Sequence, residues 1–73
     1  MTLMWEVRAL SGRLDELVAF VLAHADASAQ VYRAGGTDPR VVVIDPTERG
    51  LPELPEGLAA RPPHAWTFEP VAR

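Results

Sequence analysis

Residues 2–10, TLMWEVRAL, alternate in character. Leu3, Trp5, Val7 and Ala9 fall on one side, and Met4, Glu6, Arg8 and Leu10 on the other. A period of two predicts a half-buried β-strand. The period changes after Ser11. Leu14, Leu17, Val18, Val21 and Ala25 lie at i, i+3, i+4, i+7 and i+11, one stripe of a helix within residues 11–26. Ser11 is the expected N-cap, because its hydroxyl accepts from a backbone N–H that has no partner in the first turn. Asp15 and Glu16 stand near the positive end of the helix dipole and His24 near the negative end. Phe20 and Leu22 widen the apolar stripe, so part of the flank is expected to be covered as well.

Residues 28–34, SAQVYRA, predict a second short strand, and residues 40–45, RVVVID, a third. Between them GGTDP supplies two glycines and an Asp-Pro step, the chemistry of a hairpin turn. Val41 to Ile44 are four consecutive β-branched residues. Such a run predicts a central strand covered on both faces. Residues 46–63 carry five prolines. Leu54 to Arg61 has room for a turn or two of helix with Pro55 at its first position. Leu51, Leu54 and Leu58 are suited to clamp this connection onto the sheet. Last, HAWTFEPV alternates again, with His64, Trp66 and Phe68 on one side and Ala65, Thr67 and Glu69 on the other. It predicts a fourth strand whose Trp66 and Phe68 anchor the core, with Pro70 ending the pairing because it has no N–H.

The expected architecture is a single small α+β domain over residues 1–73, ordered β-α-β-β-(short α or loop)-β. A strand, a helix and a returning strand, with the valine-rich strand between the two, give a four-stranded antiparallel sheet of order 4-1-3-2. That is the ferredoxin-like plan with one main helix on one face. The helix side is expected to hold Trp5, Val7, Trp66, Phe68 and half of the valine run. The other face is expected to carry Met4, Glu6, Arg8, Thr67 and Glu69, with Tyr32 joining it. That mixture is too apolar for plain solvent surface and too polar for plain core, which suits a sheet-to-sheet interface. Arg8 is expected to pair with Glu69 across neighbouring strands.

Composition sharpens this picture. Seventy-three residues without a cysteine exclude disulfides, thiolate zinc sites and a cysteine nucleophile. A chain this short buries only about 60% of the surface of its unfolded form, and small domains without staples often complete their cores with a second copy. A homodimer is therefore expected. The net charge is −3, all seven basic residues are arginine and they form no stripe, so nucleic acid is not an expected partner. The amino-terminal residues carry neither a basic start nor a long apolar run. No signal peptide, membrane span or membrane association is expected, and the cytoplasm is the expected location.

Candidate chemistry is sparse. His64 and Trp66 are the residues an enzyme would use here, histidine being the usual acid or base near neutral pH. No carboxylate stands at a telling spacing, and the strand alternation already accounts for Trp66. His24 and His64 form no metal motif, and neither a metal nor another cofactor is expected. The best local ligand-binding candidate is Ser11, Gly12 and Arg13. They join a strand to a helix start whose free N–H groups hold anions, with Gly12 letting a ligand approach the backbone. An ordinary helix start is the plainer reading.

The stretch from VRALSGRLDELVAFVLAHA through RVVVID resembles two families on this plan. One is the ACT domain, a small regulatory module that binds amino acids at subunit interfaces; Gly12 matches its turn glycine, and Ser11 replaces the proline often found before it. The other is the antibiotic-biosynthesis monooxygenase-like group of dimeric α/β barrels, to which GRLDELVAFV and VYRAGGTDPRVVVID look similar. Both normally carry a full second helix where this chain has a proline-rich segment. The leading expectation is a non-enzymatic homodimeric regulatory, ligand-sensing or adaptor module. The alternatives are a small dimeric α/β-barrel enzyme, monooxygenase- or cyclase-like, that uses His64 and Trp66, and a subunit that docks on a protein partner.

Overall fold

Alternation and stripe both become structure in a computed structural model, which describes residues 1–73. Strand β1 spans Thr2–Arg8, helix α1 Leu14–His24, β2 Gln30–Ala34, β3 Arg40–Asp45 and β4 His64–Phe68. The strands form one open antiparallel sheet of order β2-β3-β1-β4. Counted from the β4 edge, the same neighbours read 4-1-3-2. GGTDP is the five-residue hairpin loop, with Ala34 opposite Arg40.

The register decides which side chains share a face. Trp5 stands opposite Val43 and Val7 opposite Val41, and these four turn toward α1. There they meet Leu17 and Val21, both fully buried, while Leu14, Val18, Phe20 and Ala25 pack around them. Leu58 of the proline-rich connection is buried in the same cluster, and Leu51 and Leu54 pack against it. The clamp expected of these leucines therefore forms. The second helix does not: residues 46–63 hold only turns and one bridge, Ala9 to Ala59. Leu22 does not widen the buried stripe either; it points to solvent.

The helix start also differs from the expected cap. Arg13 N–H bonds the Leu10 carbonyl at 3.0 Å, and Gly12 has φ +77°. Residues 10–13 thus make a tight turn whose third residue needs positive φ. Ser11 is spent on the corner of that turn, Arg13 takes the cap position without a side-chain cap, and α1 begins at Leu14. Gly12→Ala meets no atom within 4 Å, so only the backbone resists it. The substitution is expected to lower stability by about 1 kcal/mol, checked by urea unfolding; an unchanged midpoint would mean that the turn relaxes.

The fourth strand is the main correction. Trp66 stands opposite Met4, Phe68 opposite Thr2 and His64 opposite Glu6. All three side chains therefore lie on the face away from the helix, and Ala65 and Thr67 take the helix side. Every residue of β4 is exposed. The reason is reach: α1 approaches β2 and β3 and not β4, so nothing on the helix side waits for a tryptophan. The Arg8–Glu69 pair falls with this. Thr2 faces Phe68, which leaves Glu69 beyond the far end of the ladder from Arg8 and on the opposite face.

At the sheet end near Thr2, the chain turns out of β3 through a buried carboxylate. Asp45 is 1% exposed. It accepts from the Thr47 N–H at 2.8 Å, the Thr47 hydroxyl at 2.6 Å and the Gly50 N–H at 2.9 Å. Burial alone pushes its pKa up; the Thr47 hydroxyl, the Thr47 N–H and the Gly50 N–H together outweigh burial and bring it below the usual carboxylate value.

Candidate functional site: the open sheet face

Even-numbered residues of the strands build the uncovered face. Met4, Glu6 and Arg8 come from β1, and Val42 and Ile44 from β3. Tyr32 stands opposite Val42 from β2, and His64, Trp66 and Phe68 come from β4. The face divides along the strand direction. Toward Thr2 it is apolar, with Met4, Ile44, Trp66 and Phe68. Toward Arg8 it is polar, with Glu6, Arg40 and His64. Trp66, Phe68 and Tyr32 are each about half exposed, at 47%, 50% and 54%. Val42 and Ile44 are half-buried, against the complete burial of Val41 and Val43 one residue away. The continuous valine run predicted cover on both faces; this chain supplies cover on one.

At the polar end the charges are matched within the chain. Arg40 donates to Glu6 at 2.7 Å and to Asp38, and Arg8 Nε lies 3.1 Å from Asp38. Asp38 first, and Glu6 after it, raise the Arg40 pKa above its ordinary value. The face consequently presents little net charge of either sign to a partner.

His64 and Trp66 sit side by side on this face, ring centres 5.7 Å apart and edge-to-face. With Pro63 and Ala65 they border a shallow depression of about 380 Å³. The structure brings a carboxylate opposite His64, Glu6, which stands 58 positions away in the chain and could be found only through the register. Its carboxylate is engaged by Arg40. His24 is remote from this arrangement. It ends α1, where its Nδ1 donates to the Phe20 carbonyl at 2.9 Å, and no three metal-ligating side chains gather anywhere in the chain.

Of the residues expected on the interface, Met4, Glu6 and Arg8 lie on the open face. Thr67 does not, because it stands opposite Leu3 on the helix side, and Glu69 lies past the strand. Of the expected ligand residues, Ser11 and Gly12 line a cleft of about 470 Å³ against the β2–β3 hairpin, across from Gly36 and Asp38. Arg13 turns away from that cleft, bonds Glu16 at 2.8 Å and lies against Gly57. The three residues do not converge on one point.

No family model matches the chain, and no curated protein or solved structure matches it.

Proposed function

We propose that this chain is a non-enzymatic, ferredoxin-like interaction module that pairs with a second copy of itself through the open sheet face, in a regulatory, ligand-sensing or adaptor role. The observation that carries the reading is the apolar half of that face: Met4, Ile44, Trp66 and Phe68 with Tyr32 across the sheet, around a central strand whose Val42 and Ile44 are only half-buried.

Size supports it. A folded monomer of 8.0 kDa typically exposes about 4,450 Å², and this chain exposes 4980 Å². Four strands about 4.8 Å apart, with residues about 3.4 Å along each, make a face of about 19 by 20 Å. Two such faces with their side-chain relief approach the roughly 1,000 Å² that a specific interface needs. Charge supports a second copy over a charged partner, since Glu6 is already neutralised by Arg40. A two-fold arrangement is also the commonest closed assembly, because one self-complementary patch suffices. The enzymatic alternative has His64 beside Glu6 in its favour. It lacks a walled cavity, since the depression at His64 and Trp66 is bordered by four residues and substrate sites usually bury most of their ligand.

Light scattering across a dilution series tests the proposal. The expected result is twice the 8.0 kDa chain mass at micromolar concentration, falling on dilution. A chain that stays at 8.0 kDa at every concentration would overturn self-association and leave the face to a heterologous protein.

A further inference from the structure

Between β1 and the chain entering β4, the ladder slips. Glu6 stands opposite His64, and Ala9 bridges Ala59. Three steps along β1 therefore face five steps on the returning chain, and two residues are surplus. The surplus lies in Arg61-Pro62-Pro63, where the two prolines have no N–H with which to restore the ladder. This is a two-residue bulge that interrupts the ladder and keeps the alternation of faces on either side of it. It leaves a cavity of about 90 Å³ whose walls include Glu6, Arg8, Arg40, Arg61, Pro62 and His64. At about 30 Å³ per liquid water, that is room for about three waters or one carboxylate or phosphate group.

Two donors there have no protein partner. The Arg8 carbonyl accepts from Ala60 N–H at 2.9 Å. In a strand the N–H and C=O of one residue point the same way, so the Arg8 amide is directed into the slip, and no backbone group of residues 61–63 accepts from it. The second is offered by Arg61, which also lines the cavity and whose guanidinium has no carboxylate partner. Arg8, Arg13, Arg33, Arg40 and Arg49 each pair with a carboxylate. Arg61 pairs with none, and only the terminal Arg73 shares that condition. Glu6 in the wall does not repel an anion strongly, because Arg40 holds it at 2.7 Å. Counting Asp38 behind the wall, two carboxylates face three guanidiniums, a local positive excess in a chain of net charge −3.

We propose that this bulge is a binding site for a compact oxyanion, a carboxylate or phosphate group, held by the Arg61 guanidinium and the Arg8 N–H with His64 at its mouth. A planar oxyanion matches the guanidinium fork with two charge-assisted bonds. The site is built from the residues of one chain, at the polar end of the open face and away from its apolar half.

The test is an NMR titration of the full chain with sodium acetate and, separately, with sodium phosphate, at constant pH and with ionic strength held by sodium chloride. The expected result is saturable movement of the Arg8 amide, the Arg61 Nε–H and the His64 ring with at least one anion, and the anion that saturates names the chemistry. Arg61→Gln is expected to weaken that binding at least about tenfold, and Arg73→Gln to leave it unchanged. Arg61 is exposed and unpaired, so the variant keeps its fold, which unmoved Trp5 and Leu17 resonances verify. Shifts that drift linearly with both anions, or a titration unchanged in Arg61→Gln, would overturn the site.

Discussion

Replacing Asp45 by alanine is expected to remove about 2–4 kcal/mol of folding stability, a large share of what a domain this size possesses. Asp45 is the only charged residue in the buried set, and its two oxygens receive three donors from the turn that leaves β3. Alanine leaves the Thr47 and Gly50 N–H groups in a half-buried corner with nothing to bond, and such unmet donors cost more than a satisfied bond contributes. The turn has little freedom to adapt. Gly50 has φ +68°, and a Cβ there would come 3.1 Å from a methyl of Leu3. Asparagine keeps one acceptor and the shape, so Asp45→Asn is expected to fall between alanine and wild type. Urea unfolding followed by circular dichroism orders the three; alanine within 0.5 kcal/mol of wild type, on the order of a neutral surface change, would show that solvent satisfies the turn.

The same carboxylate links stability to pH. Asp45 has its folded pKa below the usual 3.8. Asp26 is also lowered, first by the Ser28 hydroxyl and then by the Ser28 N–H, with Arg49 adding to it. A depressed folded pKa means that the unfolded chain binds protons first as pH falls. Both contributions are therefore complete above the unfolded value, decline as pH drops below 3.8, and vanish once the folded carboxylates protonate. The unfolding midpoint is expected to be flat above pH 5 with respect to these two groups and to fall below pH 4. In Asp45→Ala the acid slope is expected to be shallower. An unchanged slope would assign the acid response to other carboxylates.

Most of the fold was legible because it follows from periods. The alternation in TLMWEVRAL and the helical stripe from Leu14 to Ala25 each have one geometric solution, and the helix-side core of Trp5, Val7, Leu17 and Val21 follows from them. The valine run marked β3 as central. What alternation does not specify is which face a set of side chains takes: a shift of one residue moves every side chain across the sheet. Apolar character argued for Trp66 and Phe68 inside. The two surplus residues at Arg61-Pro62-Pro63 slide β4 along β1 without changing its faces. The face follows from the parity of the pairing, Trp66 opposite Met4, and from the lateral position of α1, which depends on packing and which no local pattern announces. Asp45 was missed as a buried anchor although Asp-Pro-Thr carries a turn signal, because its burial arises from the sheet around it. The Glu6–His64 neighbourhood and the bulge cavity were hidden for the same reason. They join β1 to a strand more than fifty residues later, and only the ladder reveals it.

The two tryptophans turn this geometry into an experiment. They lie on neighbouring strands within two rows of one another, Trp5 opposite Ala65 and Trp66 opposite Met4, on opposite faces. Trp5 is 5% exposed in the core and Trp66 is 47% exposed. Trp5→Ala opens a cavity beneath α1 and is expected to cost the monomer about 3–5 kcal/mol, enough to unfold a large fraction of the chain at ambient temperature. Trp66→Ala removes a side chain that the monomer leaves about half exposed. Its expected cost to an isolated chain is below about 1 kcal/mol, while the dissociation constant of the proposed dimer rises at least about thirtyfold, the effect of losing a central aromatic worth about 2 kcal/mol. Sedimentation read beside urea unfolding at fixed protein concentration separates the two. A Trp66→Ala chain that loses monomer stability as Trp5→Ala does would place Trp66 in the core. One that keeps both its mass and its stability would leave Tyr32, Met4 and Phe68 without the partner the open face implies, because a self-association insensitive to the largest side chain on that face must use another surface.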